Sequence, residues 1–426
     1  MKIGSGATPR GGREAYKGGA TSLIRSQNIY NEGFRHEGLV YIDDDQAAGL
    51  RNVEVEPNDV LLNITGDSVA RCCQVAADVL PARVNQHVAI IRPQSKSLDA
   101  RFLRYVLVSH EYQSRLLALA SAGATRPALT KTMIEELDVP SPPLAEQKAI
   151  AAVLGGLDDK IEVNRHMNAT LEAMARAAFK SWFVDFDPVR AQADGRAPAG
   201  LDPATAALFP EHFDRSNGVL RPKGWQVSRL GDHVDLVRGN TYKSKLKDLP
   251  GPYLLGLGSI HRNGGFRDDS LRTYGGESAP KLILRGGDLF ASLKDVTQAA
   301  DLLGAVARVP SEIQAGRLTQ DTVKLVARGT GISFSYLYWT LRLPEYREYC
   351  RARATGTTNL GLSRGDFLNY PILVPPVELQ RAFDAFESRL DAQIATNRVQ
   401  SRTLATLRDT LLPKLLSGTL PVSDVD

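Results

Sequence analysis

Cysteine is scarce. Cys72, Cys73 and Cys350 are the only three in 426 residues, too few and too irregularly spaced for a disulfide framework or a thiolate metal site. The adjacent pair suits two small half-buried residues in a reducing compartment, and no chemistry is assigned to it. Long apolar runs are missing as well. No stretch of about eighteen apolar residues occurs, so no membrane span is expected. The opening MKIGSGATPRGG lacks the apolar segment of a secretory signal, and a cytoplasmic location is expected.

Catalytic signatures are missing too. The phosphate-cradling G-x-x-x-x-G-K-[ST] and the zinc-binding H-E-x-x-H do not occur, and the seven histidines form no pair at metal-ligand spacing. Gly4 and Gly6 begin like a dinucleotide fingerprint, but Pro9 stands where its last glycine belongs and no strand precedes them. An adenine methyltransferase would be expected to show Asn/Asp-Pro-Pro-aromatic. The two Pro-Pro pairs here, Pro142-Pro143 and Pro375-Pro376, are followed by Leu144 and Val377 and do not supply it.

Strong net charge is also absent. Lys and Arg number 52 against 48 Asp and Glu, a net +4. Its distribution says more. Residues 223–374 hold 21 basic and 14 acidic side chains, whereas residues 1–141 hold 16 of each, so the later segment is the better polyanion binder on charge alone.

What the chain does have is a repeat. Residues 142–183, PPLAEQKAIAAVLGGLDDKIEVNRHMNATLEAMARAAFKSWF, align without a gap at a constant offset of 233 with residues 375–416, PPVELQRAFDAFESRLDAQIATNRVQSRTLATLRDTLLPKLL. The offset pairs Gln147 with Gln380, Asp158 with Asp391 and Asn164 with Asn397. In each copy a seam of alternating three- and four-residue steps marks a heptad pattern. It runs through Leu157, Ile161, Asn164, Asn168 and Leu171 in the first and through Leu390, Ile394, Asn397, Ser401 and Leu404 in the second. Two helices of about 60 Å follow. Their polar mid-seams favour pairing with each other, and an antiparallel arrangement is preferred because a whole domain connects them. Asp158, Asp159 and Lys160 could suggest nuclease carboxylates, but they lie mid-helix opposite Asp391, Ala392 and Gln393, so a solvated helix face is expected.

The segments between the helices repeat as well. Strands are expected at 60–65 and 87–93, and a helix over 99–120 with Phe102, Tyr105, Val106, Tyr112, Leu116 and Leu119 on its buried face. The run YLYWTLRLPEY at 336–346 matches FLRYVLVSHEY at 102–112. The predicted organisation is an α+β domain at 1–141, a long helix at 142–184, a Pro- and Ala-rich linker at 185–222 with one short helical turn, a second α+β domain at 223–374, a second long helix at 375–418 and a tail at 419–426. The fold class is α+β: two similar domains separated by two long helices that form an antiparallel coiled coil.

This plan resembles the specificity subunits of type I restriction-modification enzymes, over nearly the whole chain. The resemblance rests on the PPLxxQ-type helix openings and on the Gly-x-Thr-x-x-x-Leu loops that begin at Gly123 and Gly356. It also rests on the GxGxTP motif at 4–9 and the linker FVDFDPVRAxxxGRxPxGLDP at 183–203. It implies two target recognition domains that each read half of a bipartite sequence in double-stranded DNA, with the coiled coil setting the spacing. It implies docking of two methyltransferase subunits and, through them, of restriction/translocase subunits, and no catalysis by this chain. No cofactor is expected in the chain itself; S-adenosylmethionine would belong to the methyltransferase, ATP and Mg2+ to the nuclease. In one respect the chain departs from the pattern. The second domain begins with PKGWQVSRLG at 222–231, which has no counterpart ahead of Gly4, so either the start codon is misassigned or the first domain lacks that N-terminal strand.

Candidate DNA contacts are Arg, Asn and Gln, which can fork onto base edges in the major groove, beside Lys and Thr that suit phosphates. In the first domain these are Thr8, Arg10, Arg25, Asn28, Arg83, Asn85 and Gln86. In the second they are Arg238, Asn240, Thr241, Lys243, Lys245, His261, Arg262, Lys294, Arg317 and Gln320. Thr125 and Arg126 match Thr358 and Asn359 in the loops ahead of the long helices, where they could touch phosphate or cap the next helix. Polar loop residues also cap turns or simply face water, so these loops count as groups. The rival readings are a coiled-coil adaptor without base-specific readout and a stand-alone enzyme of unseen motif.

Overall fold

The computed structural model describes residues 1–9, 11–16, 18–122, 126–216, 219–269, 271–357 and 359–424. Its longest elements are two helices of 40 residues each, Leu144–Phe183 and Val377–Leu416. Each is preceded by Pro-Pro, where a fixed φ and a missing N–H do no harm. Glu146 and Glu378 in the first turns, and Lys180 and Lys414 in the last, complement the helix dipoles. The chain divides into two compact units, Met1–Val163 with Ser401–Asp426, and Asn164–Gln400. Each unit therefore holds one α+β domain and a half of each long helix.

In the first unit, one antiparallel sheet has the strand order Lys2–Ser5, Val88–Arg92, Val60–Asn63, Cys72–Gln74. A second sheet runs Val40–Ile42, Thr21–Ile24, Ala82–Val84, Glu54–Val55, with its central pair parallel. The second unit repeats the plan. Val234–Arg238, Thr322–Ala327, Leu289–Ser292 and Val306–Arg308 form the antiparallel sheet, and Tyr253–Leu255, Gly316–Leu318 and Ile283–Leu284 the other, with its first pair parallel. The strands are short and mostly buried on both faces, so they read as apolar runs such as VLLN and LFAS. Gln226–Arg229, paired with Pro371–Val374, has no counterpart among the described residues of 1–141.

The helix expected over 99–120 is two helices, Ala100–Val108 and His110–Ser121. Ser109 takes an extended backbone between them, its hydroxyl capping the second through the amide of Tyr112. In the second unit Pro344 makes the same break, between Phe334–Thr340 and Pro344–Ala352. The segment 185–222 is more ordered than its composition suggests. It contains the helices Asp187–Ala193 and Pro203–Ala206 and the hairpin Phe213–Ser216 with Val219–Pro222. Val189 and Phe209 anchor it in a core shared with Trp182 and Trp225.

The long helices pair antiparallel within each unit. In the first, Ile150 and Leu154 share a core with Leu412 and Leu415, and Asp158 meets Arg408. In the second, Phe179 meets Phe383 with ring centroids 5.6 Å apart. At the middle of the long helices, Asn164 donates to Gln400 at 2.9 Å and Asn397 to Asn168 at 2.8 Å. Every expected seam position is buried or half-buried: Asn164 and Asn397 are buried, and Leu157, Ile161, Asn168, Leu171, Leu390, Ile394, Ser401 and Leu404 are half-buried. Outside the seam, Val163, Met167, Met174, Val399 and Leu407 are exposed. Among the described residues no helix is long and apolar enough to cross a membrane.

Candidate nucleic-acid interface

One glycine sets the edge of each domain. The amide of Gly6 donates to the Val88 carbonyl at 2.8 Å, and a Cβ there would lie 1.9 Å from the Asn85 oxygen. Gly239 repeats this, donating to Thr322 at 3.0 Å, with a Cβ only 1.9 Å from the Thr319 oxygen. No side chain fits either position, so the strand ends run tight against the neighbouring loops and the next residues face outward.

In the first domain this brings four loops together. The Thr8 hydroxyl donates to Gln86 Oε1, Gln86 Nε2 lies 3.0 Å from His87 Nε2, and His87 Nδ1 lies 2.6 Å from Thr65 Oγ1. Thr65 bridges to Ala128, and Gly66 donates to the Pro127 carbonyl, which carries exposed Arg126 to the same edge. Thr8 and Gln86 are exposed. Thr8, Gln86, His87 and Thr65 form a chain of hydrogen-bonding side chains, with Arg126 beside it.

In the second domain the corresponding positions are charged. Lys294 stands in the place of Thr65 and Asp321 in the place of His87, and they form an ion pair at 2.9 Å. Gln320 beside them is exposed, as are Arg238, Asn240, Thr241, Lys243 and Lys245. Lys294–Asp295 pairs with Leu360–Gly361, so exposed Asn359 borders the edge. Arg238, Lys294, Asp321 and Arg364 line a groove of about 460 Å³ there.

Several expected contacts are not presented to solvent. The Arg317 guanidinium is buried: it donates to Asn240 Oδ1 at 2.6 Å and the Thr241 carbonyl at 2.9 Å, and lies over the Tyr274 ring. It braces the 238–245 loop from below. Arg83, on the matching strand, is likewise buried, donating to the Ala47 and Ala82 carbonyls and pairing with Glu54 at 3.3 Å. Asn28 is fully buried. It accepts from the Arg25 amide and donates to the carbonyls of Arg35 and Glu37. Asn85 is buried and accepts from the His87 amide. These four were expected in surface loops, and short polar sequences flanked by turns do not reveal that the side chain points inward to satisfy main-chain groups. Half-buried Arg25 donates to the Gly38 carbonyl. His261 and Arg262 are exposed, but their turn packs on Arg342 and Arg351 through Gly264, Gly265 and Asn263, apart from the edge cluster. Arg10, Thr125 and Thr358 lie outside the described residues.

Each domain is also fastened to its long helices by charge. The expectation that Asp158 faces water is overturned, because its carboxylate accepts from Arg104 at 2.6 Å, Tyr105 at 2.7 Å and Arg408 at 2.6 Å. Burial alone would raise this carboxyl, but Arg104, the phenol and Arg408 outweigh it and hold it below its ordinary value. In the second unit Arg308 donates to Glu387 and, at 3.1 Å, to Asp391, while Ser335 donates to Glu387 at 2.8 Å. Burial would lower that guanidinium, yet Glu387 and Asp391 push it above its usual value. The three cysteines are free and buried. Among the described residues no group of three or more His, Cys, Asp or Glu is placed to hold a metal ion.

A family model described as the type I restriction modification DNA specificity domain matches residues 1–173. The chain is 25% identical to the type I restriction enzyme HindI specificity subunit of Haemophilus influenzae, covering 93% of each protein. It is 24% identical to the MjaIX specificity subunit of Methanocaldococcus jannaschii over 100% of this chain and 92% of that one. Among solved structures, the type I restriction-modification system S subunit from M. genitalium matches with a TM-score of 0.51 at 15% identity, over 97% of this chain and 93% of that one. At that identity the likeness concerns the fold.

Proposed function

We propose that this chain is a DNA specificity subunit of a type I restriction-modification system, a reading supported by the family match over residues 1–173 and by the specificity subunits it resembles along its length, and that its two domains each read one half of a bipartite, asymmetric target in double-stranded DNA. The observation that carries this reading is the duplicated edge cluster, with the same scaffold and different side chains. Thr8, Gln86 and His87 offer hydroxyl, amide and imidazole groups, whereas Arg238, Asn240, Gln320 and the Lys294–Asp321 pair offer a surface built around an ion pair and a guanidinium. Different donors and acceptors on one scaffold favour different bases, each good bidentate pair contributing roughly 1–3 kcal/mol of discrimination. Lys243 and Lys245, flexible point charges, suit phosphates.

In this reading the chain performs no chemistry and holds no cofactor. It delivers a methyltransferase, and through it an ATP- and Mg2+-dependent restriction subunit, to the target, and S-adenosylmethionine is bound by the methyltransferase. The exposed apolar side chains of the long helices are the surface on which two methyltransferase subunits would dock, and the helix pair sets the length of the spacer. Fluorescence anisotropy on defined duplexes, with the partner methyltransferase present, tests the proposal. A preference for one bipartite sequence at least tenfold above random DNA is expected. Binding without sequence preference would favour the coiled-coil adaptor. Methyl transfer or cleavage by the purified chain alone would favour an enzyme.

A further inference from the structure

One glutamine in each unit makes the same three bonds. Gln147 is 1% exposed; its Oε1 accepts from the Asp99 amide at 2.9 Å, and its Nε2 donates to the carbonyls of Ser97 at 3.1 Å and Pro142 at 2.8 Å. Gln380 is 0% exposed; its Oε1 accepts from the Ser333 amide at 2.8 Å, and its Nε2 donates to Gly331 at 3.2 Å and Pro375 at 2.9 Å. Asp99 and Ser333 are the N-caps of the domain helices Ala100–Val108 and Phe334–Thr340. Each glutamine thus ties the start of a domain helix to the entry of a long helix.

Every one of these partners is a main-chain atom. Bonds to the backbone are indifferent to the side chains around them, so the recognition surface can change while the junction stays the same. The second attachment in each unit has no such indifference, because Asp158 in one and Arg308 in the other depend on particular side chains. A primary amide is also the group that can accept once and donate twice from one buried point. Glutamate lacks the donors, and methionine lacks both functions.

We propose that Gln147 and Gln380 are positioning residues for target recognition, each fixing the angle between one recognition domain and its long helix and so the separation of half-sites the chain accepts. The inference rests on the bipartite reading above. Neither side chain is exposed, so neither touches DNA. One added base pair displaces a half-site by about 3.4 Å and turns it by roughly a tenth of a helical turn. A junction that holds its angle rejects that displacement, and a loosened one accepts it.

The test uses the full chain assembled with its partner methyltransferase, on duplexes that carry the native half-sites with the native spacer or with one base pair more or fewer. The half-sites are read beforehand from the methylated motif. Gln147→Met and Gln380→Met keep the side-chain volume and remove the bonds. Preference for the native spacer is expected to fall about tenfold in each, with discrimination among bases inside each half-site unchanged. Gln147→Asn and Gln380→Asn, which keep the amide but withdraw it by one methylene, are expected to fall between wild type and Met, and they carry the test if the Met variants do not fold. A lower Tm with an unaltered spacer preference would overturn the inference and leave the glutamines as packing residues. A wild-type chain that binds all three spacers alike would instead overturn the bipartite reading beneath it.

Discussion

The two units fasten a domain to a long helix with opposite charge arithmetic. In the first, one carboxylate, Asp158, is gripped by two guanidinium groups, Arg104 and Arg408. In the second, one guanidinium, Arg308, is gripped by two carboxylates, Glu387 and Asp391. The packing around them differs as well. Ile150, Leu154, Leu412 and Leu415 form an aliphatic junction in the first, whereas Phe179, Trp182, Phe183, Phe383 and Trp225 form an aromatic one in the second. The glutamine bonds to the backbone recur in both with matched partners.

Breaking the comparison at its charged centres should give the largest effects. Asp158→Asn leaves Arg104 and Arg408 facing each other, and Arg308→Met leaves Glu387 and Asp391 doing so; each is expected to destabilise its own unit by about 3 kcal/mol. All three tryptophans, Trp182, Trp225 and Trp339, lie in the second unit, so the two changes can be told apart. In urea unfolding, Arg308→Met should shift the tryptophan-emission transition. Asp158→Asn should leave that transition in place and shift part of the far-ultraviolet circular dichroism. A tryptophan transition that moves equally in both variants would mean the two junctions are one cooperative structure.

At the recognition edges the comparison sharpens into salt dependence. Lys243→Ala and Lys245→Ala in the charged domain should each weaken binding to all sequences alike and reduce the slope of log K against log salt by about 0.9. Gln86→Ala in the first domain should leave the slope unchanged and relax base preference in one half-site. Anisotropy titrations at several salt concentrations check both; a slope change with Gln86→Ala would contradict the assignment.

A smaller effect is expected from pH. Asp158 sits below its ordinary value in the folded chain, so its contribution is present above the unfolded carboxylate value of about 3.9 and is lost as pH falls through the lower folded value. Asp384 behaves oppositely. Burial raises it despite the Ser333 hydroxyl, which donates to it at 2.7 Å. Its contribution is therefore present below about pH 3.9 and is lost as pH rises through the higher folded value. Hydrogen exchange on acidification below about pH 4 should show amides around Asp158 losing protection while those around Asp384 keep theirs.

Much of the fold was legible because it is written twice. The gapless match of 142–183 with 375–416 carried the helix pair, and the three- and four-residue steps carried its seam. Periodicity could not carry the break at Ser109, where an extended serine restarts a helix inside an amphipathic run. Composition misled at 185–222, where Pro and Ala conceal the anchors Val189 and Phe209. In the candidate site, exposed Thr8, Gln86, Arg238, Lys243, Lys245 and Gln320 lie where loop chemistry suggested. Arg83, Arg317, Asn28 and Asn85 do not, because residue type cannot say whether a polar group serves DNA or a neighbouring carbonyl. Asp158 was misread for a related reason: its partners Arg104 and Arg408 are distant in sequence, and its repeat mate Asp391 has a different cation. Gln147 and Gln380 were visible as a match, but their role needed the backbone atoms that surround them.

The central claim is that each domain reads its own half-site. It is tested most directly by sequencing DNA methylation in cells that carry the complete system, with residues 223–374 of this chain exchanged for the same domain of a relative. The account expects a methylated motif with one half-site changed and the other half-site and the spacer kept. A motif changed in both halves, or in neither, would contradict it.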